Sequence, residues 1–156
     1  MKNSNGGYKQ KANHWGMQNI LGIGVGARSY LQNINYRSGY SASEGEKIYN
    51  FYVESIKKYR NCIVDGFILS KDESMRKHII LGLNKLSVEN FLKKYGHTPM
   101  SIYPKEFEML KQEDMIEMDG AFISLTQKGR KYRDIIAQNF FSKTINKLIE
   151  SYEYNE

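Results

Sequence analysis

Cysteine occurs once in 156 residues, as Cys62, and that scarcity excludes more than any other feature of the sequence. One thiol makes no disulfide within the chain and builds no cysteine-based zinc site or thiolate-held cluster. A reducing, cytoplasmic setting fits such a composition. Long apolar runs are missing too. None approaches the roughly 20 residues that span a bilayer, and Met1-Lys2-Asn3-Ser4-Asn5 lacks the apolar stretch of a signal peptide, so no membrane association is expected. Internal repeats and low-complexity segments are absent. Tryptophan is single against 12 tyrosines, so the core or its rim is expected to use rings whose hydroxyls need partners.

What is present suits one globular domain, or one domain with an attached arm: 40% of the residues are apolar and 26% charged. An excess of 23 Lys+Arg over 17 Asp+Glu gives a net charge of +6, which raises nucleic acid or another polyanion as a partner. The basic residues are scattered as the pairs Lys57-Lys58, Arg76-Lys77, Lys93-Lys94 and Arg130-Lys131, with acids between them. Such spacing belongs to solvated helical surfaces.

Residues 1–18 read as a flexible polar arm, and order is expected from about His14-Trp15. The apolar run Asn19-Ile20-Leu21-Gly22-Ile23-Gly24-Val25-Gly26 is predicted to be a buried parallel-type strand, with a Tyr-, Asn-, Ser- and Gly-rich loop after it to residue 45. From Glu46 the period becomes helical: Ile48, Phe51, Tyr52, Ser55, Ile56 and Tyr59 share one face over 46–60. Ser70 with Glu73 forms a capping-box pattern that starts a helix to about Leu86, with Met75, Ile79, Ile80 and Leu83 inward. Ser87 to Tyr95 is a second helix closed by Gly96. A third runs from Ser101 or Pro104 to about Glu113, burying Phe107 and Leu110. Asp119-Gly120 between two alternating runs is a hairpin signal, and Thr126 caps a last helix, breakable near Phe141-Ser142. The expected class is mainly α with a small β component (α+β): a helical domain over 46–152 containing a winged-helix-like unit at 70–126, preceded by one orphaned strand.

No catalytic or metal-ligating set emerges. Gly22, Gly24 and Gly26 would let a ligand approach the backbone, but G-x-G-x-G lacks the third glycine and following helix of a dinucleotide fingerprint, so tight strand packing explains it as it stands. His14, His78 and His97 lie far from any cluster of metal spacing and read as surface or helix-end residues. Cys62, beside Ile63 and Val64, reads as a small buried apolar residue. Ser29 is not in a nucleophile elbow. The would-be recognition helix carries Lys105, Glu106, Glu108, Lys111, Glu113 and Asp114, more acid than base, which argues against a DNA groove.

The order of several segments resembles a known family. Gly7-Tyr8, then Asn13-His14-Trp15, then Gly22-Ile23-Gly24-Val25-Gly26-Ala27-Arg28-Ser29 follow a Gly-Tyr, an Asn-aromatic-Trp and a Gly-x-Gly-x-x-Ala-x-Ser pattern. They resemble the oxygen-independent coproporphyrinogen III oxidases and their haem-chaperone relatives, and the likeness continues through Leu69 to Glu73, Ile80 to Asn84, Phe91 to Gly96, Leu110 to Ile116 and Leu125 to Arg130. It implies a radical S-adenosylmethionine protein of porphyrin metabolism, whose carboxy-terminal part closes over the substrate side of a barrel. Leu21, Gly22, Ile23, Gly24 and Val25 would inherit a place beside the adenine of S-adenosylmethionine.

Departures from the pattern set the functional expectation. The family's iron–sulfur cluster needs a Cys-xxx-Cys-xx-Cys trio, whereas Cys62 is alone. Arg28 stands in place of a common histidine, Asn84 in place of arginine, and 84–90 is short. The chain is expected to be the non-catalytic carboxy-terminal region of a truncated, split or dissected family protein. S-adenosylmethionine and the cluster would belong only to a complete enzyme. The expected partner is a barrel-bearing chain, or a second copy through the orphaned strand. A free-standing winged-helix interaction or nucleic-acid-binding protein is the alternative.

Overall fold

The computed structural model describes residues 13–14, 16–39 and 45–151. Most of the expected polar arm, Trp15 and part of the loop before residue 45 lie outside them. Helices combine with two small antiparallel sheets, which makes the fold α+β as expected. The chain divides into two compact units between Lys71 and Asp72, not at the 45/46 boundary anticipated from the change of period.

The first unit includes a three-stranded sheet and a long helix among the described residues. β1 (Arg28–Leu31) and β2 (Ile34–Ser38) form a hairpin whose two-residue link, Gln32-Asn33, turns through a positive φ of 48° at Gln32. The chain then forms α1 (Gly45–Tyr59) and returns as β3 (Ile63–Ile68), antiparallel to β2. Glu46 at the start and Lys57 and Lys58 at the end of α1 complement the helix dipole. Because α1 connects β2 to β3, it belongs to this unit and not to the helical domain. Within the range 30–46, expected to be loop with at most a short strand, Tyr30, Leu31 and Ile34–Ser38 lie in two paired strands.

The expected strand at 19–26 is also corrected. These residues make one isolated bridge, Ile20 to Tyr30. Gly24 and Gly26 take φ of 106° and 72°, conformations that break a strand and that side chains rarely adopt. Its apolar side chains are not buried: Leu21 is 62% and Ile23 87% exposed.

The second unit opens with α2 (Lys71–Gly82), which ends four residues before the expected limit. Leu86 is instead in β4 (Leu86–Ser87), where it fills the space over Gly82. Ser87 caps α3 (Val88–Tyr95) by accepting from the Asn90 amide at 3.2 Å, and Gly96 closes it at φ 80°. Then come α4 (Pro99–Ile102) and α5 (Pro104–Gln112). The hairpin follows as β5 (Ile116–Met118) and β6 (Phe122–Leu125), with Gly120 at φ 87° and Asp119 Oδ1 accepting from the Ala121 and Phe122 amides. The sheet order is β4-β6-β5.

Thr126 caps α6 (Gln127–Lys131), and α7 (Arg133–Gln138) and α8 (Lys143–Glu150) complete the chain's described part. Inside lie Met75, Ile79, Leu83, Phe91, Phe107, Leu110, Leu125 and Phe140, which form one apolar cluster. The inward residues expected of the helices at 70–86 and 101–113, Met75, Ile79, Leu83, Phe107 and Leu110, are in this cluster, with Ile80 partly buried against it.

Candidate functional site

In the first unit, two buried serines shape the glycine-rich turn. The Gly22 amide donates to Ser29 Oγ at 3.0 Å. Ser38 Oγ accepts from the Ala27 amide at 3.0 Å and donates to the Gly24 carbonyl at 2.7 Å. Ser29 and Ser38 are 1% and 6% exposed, so these bonds are shielded from competing water. Gly22 admits no side chain, since a Cβ there would meet the Arg28 carbonyl oxygen at 2.5 Å. The result is a fixed backbone turn that holds Leu21, Ile23 and Val25 outward, all exposed.

The turn runs directly into a hollow on the sheet. Its volume is about 320 Å³, and its lining includes Arg28 and Tyr30 of β1, Asn35 and Arg37 of β2, and Asp65 and Phe67 of β3. The register explains the grouping. Arg28 is opposite Arg37 and Arg37 opposite Asp65, while Tyr30 is opposite Asn35 and Asn35 opposite Phe67. Residues opposite one another in a sheet share a face. Arg37 Nε donates to both carboxylate oxygens of Asp65 at 2.9 and 2.7 Å, and its Nη2 lies 2.7 Å from Oδ2. The His14 ring packs edge-on to Tyr30 with centroids 4.7 Å apart.

Two polar groups mark the second unit. Asp72 accepts from Arg76 Nε at 2.7 Å and from the Tyr103 hydroxyl at 2.8 Å, and the Arg76 guanidinium lies 4.7 Å from the Tyr103 ring centre. Burial tends to raise the Asp72 pKa, but the hydrogen bonds from Arg76 and Tyr103 and the Arg76 charge outweigh it and leave it lowered. Burial, then the hydrogen bond to Asp72, pushes the Tyr103 hydroxyl upward.

His78 corrects the expectation of a surface histidine. It is 7% exposed, sits between Phe91 and Tyr95, and its Nδ1 has no hydrogen-bond partner. Burial, with a smaller contribution from the Lys94 charge, lowers its pKa to about 4. An α2 position facing α3 explains the placement: the ring fills core space as an uncharged aromatic. His14 is half-buried and His97 exposed, and Cys62, expected to be buried, is half-exposed.

Of the residues expected to line a cofactor, Leu21, Gly22, Ile23, Gly24 and Val25 are contiguous in the serine-pinned turn. Tyr30, Asn35, Arg37, Asp65 and Phe67 were not singled out from sequence. The alternation of Ile63-Val64-Asp65-Gly66-Phe67-Ile68 was the available signal for β3, but it lacks a simple apolar-polar rhythm. The Gln32-Asn33 link lacks the glycine that usually announces a two-residue hairpin.

Among the described residues, no group of three or more His, Cys, Asp or Glu is placed to hold a metal ion. No helix there is long and apolar enough to cross a membrane. No family model matches the chain. Among curated proteins, a heme chaperone, HemW, from Lactococcus lactis subsp. lactis (strain IL1403) is 25% identical over 145 residues, 90% of this chain. The chain is a distant relative of that haem chaperone.

Among solved structures, coproporphyrinogen III oxidase (HemN) from Escherichia coli, a radical SAM enzyme, superposes with a TM-score of 0.59 over 79% of this chain at 19% identity. The latter likeness establishes shared fold. The chain spans about a third of the length of each relative, 36% of the chaperone and 28% of the oxidase. An iron–sulfur cluster of the kind such enzymes carry does not fit the residues present, because its three thiolate ligands cannot come from one cysteine.

Proposed function

We propose that this chain is the non-catalytic, substrate-side portion of a radical S-adenosylmethionine protein of porphyrin or haem metabolism, working with a barrel that carries the cluster. The 145-residue likeness to the haem chaperone carries this reading, since it extends through both units. In this reading the second unit is a winged-helix domain. Its order of helix, strand, three helix segments and hairpin, with β6 central between β4 and β5, supports that assignment.

The turn Leu21-Gly22-Ile23-Gly24-Val25 would contribute an apolar, backbone-lined edge for the adenine of S-adenosylmethionine. Exposed Leu21, Ile23 and Val25 suit the face of a purine, and the serine-held backbone brings it without rearrangement. The nucleic-acid alternative is weaker, because α5 and the residues just after it present Glu106, Glu108, Glu113 and Asp114 against Lys105 and Lys111. Phosphate contacts call for the opposite balance.

The test is co-purification of the chain with a barrel-bearing protein that has a three-cysteine motif. The expected result is a complex that holds iron and cleaves S-adenosylmethionine, with neither property in the isolated chain. Deoxyadenosine formation by the isolated, iron-reconstituted chain would overturn the non-catalytic assignment. Failure to bind any such protein would overturn the partnership.

A further inference from the structure

The hollow on the first unit's sheet is unused by the proposed function. Its electrostatics are lopsided. Arg37 is neutralised by Asp65 through paired hydrogen bonds of 2.9 and 2.7 Å. Beside it in register, Arg28 has no carboxylate partner among the described residues, so the wall carries one surplus guanidinium. The Arg37–Asp65 pair also fixes the second guanidinium away from free rotation, which leaves Arg28 as the adaptable donor.

The remaining wall is aromatic. Tyr30 and Phe67 flank the hollow, and Phe67 is 59% exposed. A large ring left that open on a strand is costly in water and is relieved when a flat apolar surface covers it. The volume, about 320 Å³, is at the lower end of small-molecule sites. A ligand of about two fused rings is commensurate with that volume.

We propose that this hollow binds a small planar aromatic ligand bearing one carboxylate, with its ring against Phe67 and Tyr30 and its anion forked on the Arg28 guanidinium. Guanidinium and carboxylate match as two parallel hydrogen bonds, and the covered rings add apolar contact.

The probe is 2-naphthoate, titrated into the full chain and followed by amide chemical shifts in two-dimensional NMR. Shifts are expected at residues 28–30, 35–37 and 65–67, with a Kd below about 1 mM. Arg28→Gln should weaken binding about tenfold, and Phe67→Ala by a similar factor, while Lys57→Gln on α1 leaves it unchanged. 2-Naphthalenemethanol, which keeps the ring without the charge, should bind at least tenfold more weakly. The same spectra report whether each variant is folded.

Shifts confined to other residues, or no shifts up to several times the expected Kd, would overturn the site. Equal binding by the neutral alcohol or by the Arg28 variant would overturn the role of the cation. Equal weakening by Lys57→Gln would reduce the interaction to general charge attraction and overturn it as well.

Discussion

Among the described residues of the first unit, the side chains hidden from water are mostly short and polar: Ser29, Asn35, Ser38 and Ser55, with Leu69 apolar. In the second unit they are Phe91, Phe107, Phe140, Ile79, Leu125 and their neighbours. Each fully buried large apolar side chain contributes about 1.5–3 kcal/mol, whereas a hydrogen bond nets about 1 kcal/mol. The second unit therefore holds itself together by packing. The first fixes a local shape by hydrogen bonds and leaves Leu21, Ile23, Phe67 and Ile68 outward. Cohesion and display are divided between the two parts of one chain.

One pair of phenylalanines puts that contrast at risk. Phe91 is 0% and Phe67 59% exposed. Phe91→Ala should cost about 4 kcal/mol in urea unfolding of the second unit, and Phe67→Ala less than about 0.5 kcal/mol in the first. Comparable losses would mean that the first unit depends on packing after all.

Acid sharpens the comparison through His78. Its folded pKa of about 4 lies below its usual 6.5, so between those values the unfolded chain binds more protons than the folded one. Stability of the second unit should then fall as pH drops from 6.5 to 4, by about 3 kcal/mol in all. His78→Phe should flatten that slope, as measured by unfolding midpoints across the pH range. Asp72, whose pKa is lowered, adds a loss only at more acidic pH, below its usual carboxylate range.

Smaller effects separate caps from surface charges. Ser87→Ala removes the acceptor for the Asn90 amide and should cost about 1 kcal/mol, read by thermal unfolding. Asp65→Asn weakens a pair whose side chains are 42% and 51% exposed, and should change stability by no more than about 0.5 kcal/mol. Its larger consequence would be orientational, as NMR line positions of Arg37 Nε would reveal.

The second unit was the more legible of the two in sequence. Ser87, Gly96, Asp119-Gly120 and Thr126 each act within a few residues of themselves, and each appears where its local chemistry places it. Met75, Ile79 and Leu83 followed helical spacing into the core. In the first unit, the apolar glycine run from Ile20 to Gly26 suggested a buried strand. Positive φ at Gly24 and Gly26, with the hydroxyls of Ser29 and Ser38, makes it a turn instead.

By itself the sequence determined what is local or additive: one thiol and hence no three-thiolate cluster, the helix caps, the hairpin turn, and the helical faces of 71–112. Only the tertiary structure decided that Asp65 reaches Arg37 across 28 positions, that Phe67 and Arg28 share one hollow, and that His78 is hidden among rings. Caps and turns are fixed by bonds to near neighbours along the chain. Strand register and burial depend on which distant surfaces exclude water together, and no short stretch of residues carries that information.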